Sequence, residues 1–234
     1  MKLTPFERFG AVVAAVATPL VVIAAAVLLF LNPIWVGFDQ DRSDAAGWTG
    51  YTSAQVHQVT GSILSDLVFG PPTFDVTLNG QPVLDERSRA HMADVRTVLG
   101  ELGLVALAAA VLLAAAGVAS HGRRWFWRAV ELGASVLVVG VIVVGAAFAL
   151  FFEQAFELFH EIFFPPGTYM FDPKTEKLVQ LFPDQFWTET SLALAAAVLV
   201  LAVAVVIGAR RRLQASASAD AAGVPSPAVP EPGR

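Results

Sequence analysis

The chain has 234 residues, 56% of them hydrophobic and 15% charged, with a net charge of −5 and a mean hydropathy of +0.63. A soluble domain carries about a quarter charged residues, so this balance excludes an ordinary water-soluble fold and points to lipid. Cysteine is absent, which removes disulfides, thiolate–metal sites and a cysteine nucleophile, and the few basic residues flank apolar runs rather than forming a nucleic-acid-binding patch.

Four apolar runs, at 11–31, 98–120, 129–152 and 190–209, reach the roughly 20 residues that a helix needs to cross a hydrocarbon core. The first follows Lys2 and Arg8 and could be read as a secretory signal. It is too long for a signal's apolar region, and Asn32-Pro33-Ile34-Trp35 stands where a small-residue cleavage site belongs, so a retained helix is expected. The expected fold class is an all-α integral membrane protein. Four transmembrane helices lie within 1–213, and two extracytoplasmic segments, 32–97 and 153–189, contain short interfacial helices. With four crossings, Lys2 and Arg8, Arg123, Arg124 and Arg128, and Arg210, Arg211 and Arg212 fall on one side. Excess lysine and arginine mark the cytoplasmic side, so both termini are expected there. Trp125 and Trp127 suit the inner interface, Trp35 and Trp187 the outer one. Gly140 and Gly145 in the third span are not at GxxxG spacing and imply only close small-residue packing. The Ala/Ser/Pro-rich tail, 214–234, cannot bury a core and is expected to be unstructured cytoplasmic chain.

In the first external segment, Thr52-x-x-Gln55 is a capping box that opens a helix. Val56, Val59, Ile63 and Leu67 share one face of it, and Gly70-Pro71-Pro72 ends it. Such a helix between two spans is expected on the outer bilayer surface; the alternative is a small external subdomain on the bundle ends. After a turn at Asn79-Gly80, residues 84–96 run as helix into the second span. One side of this stretch carries Arg87, His91, Asp94 and Val95, with His91 about two turns above the apolar core. Asp94 can accept from one ring nitrogen and leave the other as a base. The third span is expected to continue through 152–164 until Pro165-Pro166-Gly167. There Phe152, Phe156, Phe159 and Phe163 form one stripe, and Glu153, Glu157, His160 and Phe164 its neighbour.

A lone interfacial histidine is usually incidental, and His57 and His121 are read that way. His91 and His160 differ because each has a carboxylate one turn away and both arrangements converge on one side. His160-Glu161-Ile162-Phe163-Phe164 begins like a zincin helix but has Phe164 where the second histidine belongs. Zinc on His91, His160 and one carboxylate is an alternative; the expectation is no metal and no other cofactor. No G-x-S-x-G elbow exists for a serine nucleophile.

Three motifs, His91-Met92-Ala93-Asp94-Val95, the Phe-His-x-x-Phe-Phe run over 159–164, and Phe182-Pro183-x-x-Phe186-Trp187, combine with four spans over about 10–210. In this combination the chain resembles a bacterial integral membrane family that includes the lipoprotein intramolecular transacylase. The resemblance implies a membrane acyltransferase in the bacterial cytoplasmic membrane, with its active site on the outer face and diacylglyceryl-modified lipoproteins and membrane lipid as partners. The sn-2 acyl chain of the lipidated cysteine would move to the α-amine of the same residue. His91 and His160 are the catalytic pair that the resemblance carries over, His160 as base and His91 as acid or oxyanion partner, or the reverse. From the residues themselves, Asp94 and Glu157 are the expected orienting groups, Glu153 supports the same stripe, and Arg87 can meet the oxyanion or a lipid phosphate. The rival classes are a non-enzymatic membrane protein, such as a transporter subunit or scaffold, and a related lipid hydrolase or metal-dependent enzyme. Transport fits less well, since the first, second and fourth spans carry almost no ionisable residue in mid-membrane.

Overall fold

In the computed structural model, residues 3–71 and 73–222 are described, the last four by backbone alone. Helix α1 (Pro5–Phe30) begins with a capping box between Thr4 and Glu7 and a proline at its first position, where the missing N–H costs nothing. Asn32 then caps α2 (Pro33–Arg42), and α3 (Ala45–Thr49) and α4 (Ser53–Val68) follow. Two short strands, β1 (Thr77–Leu78) and β2 (Gln81–Pro82), pair antiparallel. Asn79 and Gly80 join them at φ 53° and 78°, the left-handed turn that matches strand twist. Helix α5 (Glu86–Ser120) is capped by Asp85, whose carboxylate accepts from the Ser88 N–H at 2.7 Å. After it come α6 (Arg124–Leu150), α7 (Phe152–Phe163), α8 (Lys177–Leu181) and α9 (Asp184–Ala222).

Four of these helices, α1, α5, α6 and α9, are long and apolar enough to cross a membrane. Helix α6 lies along α9 and α1, and α1 along α5, whereas α5 and α6 scarcely touch despite their short connection. Val22 and Ala26 of α1 meet Leu137 of α6 and Val198 and Ala202 of α9 at mid-bundle. The tightest approach lies between α1 and α6. Pro19 has no N–H to offer Ala15, its partner one turn back, and the Ala15 carbonyl oxygen sits against Gly133, 2.2 Å from where a Cβ would stand. Only a glycine admits that carbonyl. Gly140 has no such neighbour, and Gly145 meets only the Ala195 methyl at 4.0 Å, so the close packing expected at those two glycines is instead at Gly133.

Three local differences from the sequence reading have physical causes. The capping box at Thr52 and Gln55 forms, but Val56, Val59 and Ile63 of α4 are each 1% exposed, buried with Phe74, Val76, Leu84, Met92 and Leu181. The apolar face is covered by the chain itself, not by lipid; this is the subdomain alternative. Helix α6 also does not continue through 152: Phe151 leaves helical geometry at φ −135°, ψ 48°, and α7 starts afresh. A run with phenylalanines on one face and glutamates on the other is better satisfied lying along an interface than standing upright in lipid. Finally, the fourth span continues past Leu213 to Ala222, with Ser216 and Ser218 hydroxyls bonded to carbonyls one turn back. Alanine is the strongest helix former, and this stretch is rich in it. Residues 223–234 of the expected unstructured tail lie outside the described residues.

The subdomain built from α2, α3, α4, the hairpin and α8 sits at one end of the bundle and is tied to it by polar contacts. Within the subdomain, the Gln40 side-chain amide donates to Thr60 Oγ1 and to the Leu181 carbonyl, both at 2.8 Å, joining α2 to α4 and α8, and further contacts reach the bundle. Arg42 pairs with Glu189 at 2.6 Å, and the Trp35 indole donates to Thr190 Oγ1 at 3.1 Å. Arg96 of α5 donates to the Asp66 and Gly70 carbonyls, satisfying acceptors that the end of α4 would leave open.

Candidate active site

The charged first part of α5 ends at Arg96, so His91 stands outside the helix's apolar, membrane-spanning part, at the subdomain end. Its neighbour Met92 belongs to the subdomain core, and His91 itself is only 7% exposed. His160 occupies the last turn of α7 and is half-buried. The two imidazoles, 69 positions apart in the sequence, lie with ring centroids 6.1 Å apart and planes inclined by 22°.

Aromatic rings wall the pair. Phe164 touches both, at 4.8 Å from His91 and 5.4 Å from His160, and is 6% exposed. Phe171 stands edge-on to His91 at 5.4 Å, and Phe156, Phe159 and Tyr169 surround His160 at 4.3, 5.4 and 5.1 Å. Their placement follows from the break at Pro165-Pro166-Gly167. It ends α7, with Gly167 at φ 83°, and brings Tyr169 and Phe171 back over the histidines. Phe164, Tyr169 and Phe171 were not among the expected site residues. The available signal was that double-proline turn followed by two aromatics spaced as on one side of an extended chain.

The protonation states follow from this setting. His160 Nδ1 lies 2.7 Å from the Phe156 carbonyl oxygen. A carbonyl can only accept, so Nδ1 carries the proton and Nε2 holds the free lone pair. Burial pulls the His160 pKa below its ordinary 6.5, partly offset by that carbonyl. Burial lowers His91 further, to about 4, with the neighbouring His160 adding to the effect. Both rings are therefore neutral at pH 7. His91 Nδ1 is buried without a hydrogen-bond partner among the described residues, a costly arrangement.

The expected supporting residues are placed differently. No hydrogen bond joins Asp94 to the His91 ring, and Glu157 and Glu153 point into the exposed face of α7. The Phe156 carbonyl does the orienting instead, because a helical residue's ring leans back over the preceding turn, where the i−4 carbonyl lies. Arg87 pairs with Glu176 at 2.6 Å and lies over the Phe171 ring at 4.8 Å. It braces the wall of the site rather than entering it. His57 is an anchor between α4 and α2, 3.1 Å from Asp41 and 3.2 Å from the Gly37 carbonyl oxygen, and His121 is the left-handed residue that ends α5. Among the described residues no group of three His, Asp or Glu side chains is gathered as a metal site requires. The third ligand that zinc on His91 and His160 would need is not beside them.

What the arrangement can do is move protons. One ring has a fixed tautomer and a free basic nitrogen, the other lies at stacking distance, and aromatic rings line the pair. The apolar face of α7 remains uncovered, with Leu158, Phe159, Ile162 and Phe163 at 55%, 43%, 66% and 40% exposure. An amphiphile can thus keep its chains in lipid while its polar part reaches the histidines.

The fold has solved counterparts. It matches the in meso structure of the membrane integral lipoprotein intramolecular transacylase Lit from Bacillus cereus at a TM-score of 0.82, with 17% identity, over 91% of this chain and 98% of that one. Two further structures of that protein, with one histidine replaced by arginine or by alanine, match at 0.75, over 92% and 91% of this chain and 95% and 96% of theirs. No curated protein matches the sequence. Residues 12–187, which hold both histidines, α7 and the aromatic wall, match the family described as lipoprotein intramolecular transacylase Lit, and the chain belongs to that family.

Proposed function

We propose that this protein moves an ester-linked acyl chain of a diacylglyceryl-modified lipoprotein, the sn-2 chain, to the α-amine of the same lipidated cysteine, using His160 and His91 as its proton-transfer pair. The observation that carries this reading is the stacked pair of neutral imidazoles in an aromatic wall, with His160 Nδ1 fixed by the Phe156 carbonyl. Amine and ester belong to one substrate, so the reaction needs no nucleophile from the protein. It needs the two groups held together and a proton taken from one and given to the other.

The ammonium first loses one proton to water; as the amine nitrogen then attacks the ester carbonyl, His160 Nε2 takes a second. The C–N bond forms, the carbonyl oxygen becomes an oxyanion, and the unpaired His91 Nδ1 supplies a hydrogen bond in the N–H tautomer. Collapse breaks the bond to the glycerol oxygen, which receives the proton from the imidazolium. The net change is one amide for one ester, with the proton moved from nitrogen to oxygen. Placement supports the rest of the reading. With the arginine-rich end in the cytoplasm, the histidines stand at the outer face of the bacterial cell membrane and both Pro5 and Ala222 at the inner one.

The test is mass spectrometry of the N-terminal peptide of a diacylglyceryl lipoprotein incubated with the purified protein. The parent chain gives the N-acyl lyso form, and His91→Ala and His160→Ala each lose at least about 10²-fold of the rate, the usual contribution of a positioned acid or base. Conversion by both single variants at the parental rate overturns the assignment.

A further inference from the structure

Arg87 stands one turn before His91 on α5, so the two side chains share a face. Its Nη2 donates to both oxygens of Glu176, at 2.6 and 2.7 Å, and the guanidinium lies over the Phe171 ring at 4.8 Å. Phe171 in turn meets the His91 ring edge-on at 5.4 Å. One aromatic ring is thus held between a guanidinium and an imidazole. A cation over a ring face is attracted by the ring's quadrupole, and the charge-assisted bonds to Glu176 fix where that cation stands. Glu176 is the cap residue of α8 yet makes no side-chain cap to it. Its carboxylate accepts instead from Arg87 and from the backbone N–H of Asp172, the residue after Phe171. A single carboxylate therefore places both the cation over the ring and the backbone beside it.

Other polar ties on this wall are local. Among the described residues, the hydrogen bonds of 165–175 stay within 165–180: Thr168 to the Pro165 carbonyl, the Lys174 and Thr175 N–H groups to Asp172, and the Gln180 amide to the Pro173 carbonyl. Helix α8 is tied to α2 through Gln40 at the Leu181 carbonyl and to α3 through Lys177 at the Thr49 carbonyl. Among the described residues, the pair of Arg87 and Glu176 is then the one polar tie between α5, which carries His91, and the segment that walls it. The Arg87 side chain is half-exposed, so the pair adds little to global stability; what it fixes is a position. We propose that Arg87 and Glu176 are positioning residues for the acyl transfer, seating Phe171 against His91 and so setting where that imidazole stands relative to His160. Both act through Phe171, and their role rests on the acyl-transfer reading.

Steady-state kinetics in the peptide assay, with amide hydrogen exchange of the full chain in detergent, test it. Arg87→Gln lowers kcat by about tenfold with KM unchanged, the pattern of an interaction that counts in the transition state, and speeds amide exchange over 168–176. The loss stays short of the roughly 10²-fold that 1 Å of misplacement costs, because Phe164 still touches both rings. Glu176→Gln lowers kcat in the same way. Arg87→Lys restores part of the rate, since an ammonium pairs with Glu176 but covers the ring less well than a planar guanidinium. Arg89→Gln breaks the neighbouring pair with Asp75 and leaves both kcat and exchange over 168–176 unchanged. The unfolding temperature of Arg87→Gln stays at the parental value. Parental kcat in Arg87→Gln, a loss carried by KM, equal losses in Arg87→Gln and Arg89→Gln, or a lowered unfolding temperature that tracks the kcat loss overturns the proposal and leaves the acyl-transfer reading standing. A parent chain that makes no N-acyl product overturns that reading, and this proposal with it.

Discussion

A histidine serves as a base only while it is neutral, and burial keeps both site rings so. For His160, whose pKa lies below 6.5 in the unliganded protein, the acid limb that the protein adds to the kcat/KM profile, beyond that of the substrate amine, therefore has its midpoint below 6.5, because kcat/KM reports the unbound groups. A limb centred above 7 contradicts the assigned base. His91 also couples folding to pH. Its cation is disfavoured in the folded state, so between about 4 and about 6.5 the unfolded chain binds the extra proton and stability rises with pH. The thermal midpoint measured in detergent climbs across that window in the parent, and His91→Phe flattens the climb. The ring that touches both histidines, Phe164, fixes their mutual placement. Its replacement by alanine lowers kcat by about 10²-fold, the cost of roughly 1 Å of misplacement, measured by the same peptide assay with binding little changed.

Among the elements, α1 and α6 depend on a single point of contact. Gly133→Ala drives a methyl onto the Ala15 carbonyl, and relief by a backbone shift costs about 1–3 kcal/mol, read as a lower unfolding temperature. Gly140→Ala, with nothing within 4 Å of its Cβ position, leaves that temperature the same or slightly higher, since alanine favours helix. Equal effects at the two positions would remove Gly133 from the packing argument. In the subdomain, Arg96→Ala leaves the Asp66 and Gly70 carbonyls without their donor. The expected loss is about 1–3 kcal/mol, localised to faster amide exchange at the end of α4.

For the whole molecule the prediction concerns sidedness. The chain has no cysteine, so single substitutions report it without background. Ser62 lies exposed on α4 at the histidine end and Ser218 exposed on α9 at the other. In intact cells a membrane-impermeant maleimide labels Ser62→Cys and spares Ser218→Cys until the membrane is opened. The opposite pattern inverts the proposed orientation.

The four spans, the capping boxes at Thr4 and Thr52 and the hairpin at Asn79-Gly80 are local matters, each settled by a few adjacent side chains, and the residues alone foretold the spans, the second capping box and the turn. Facing of α4 was not legible, because its Val56, Val59 and Ile63 stripe suits lipid and protein core equally; Phe74 and Leu181, distant in the chain, decided between them. His91 and His160 stood out through their place at the ends of apolar runs, but periodicity cannot bring two helices together. Sequence spacing offered Asp94 and Glu157 as partners because they lie one turn away. Only the folded chain shows the Phe156 carbonyl holding one ring and Glu176 drawing Arg87 aside. Hydrophobic length and charge placement act along a single segment and so are written in it; the meeting of two imidazoles, the ring that touches both and the ion pair that draws Arg87 aside depend on contacts between segments, and these exist only after folding.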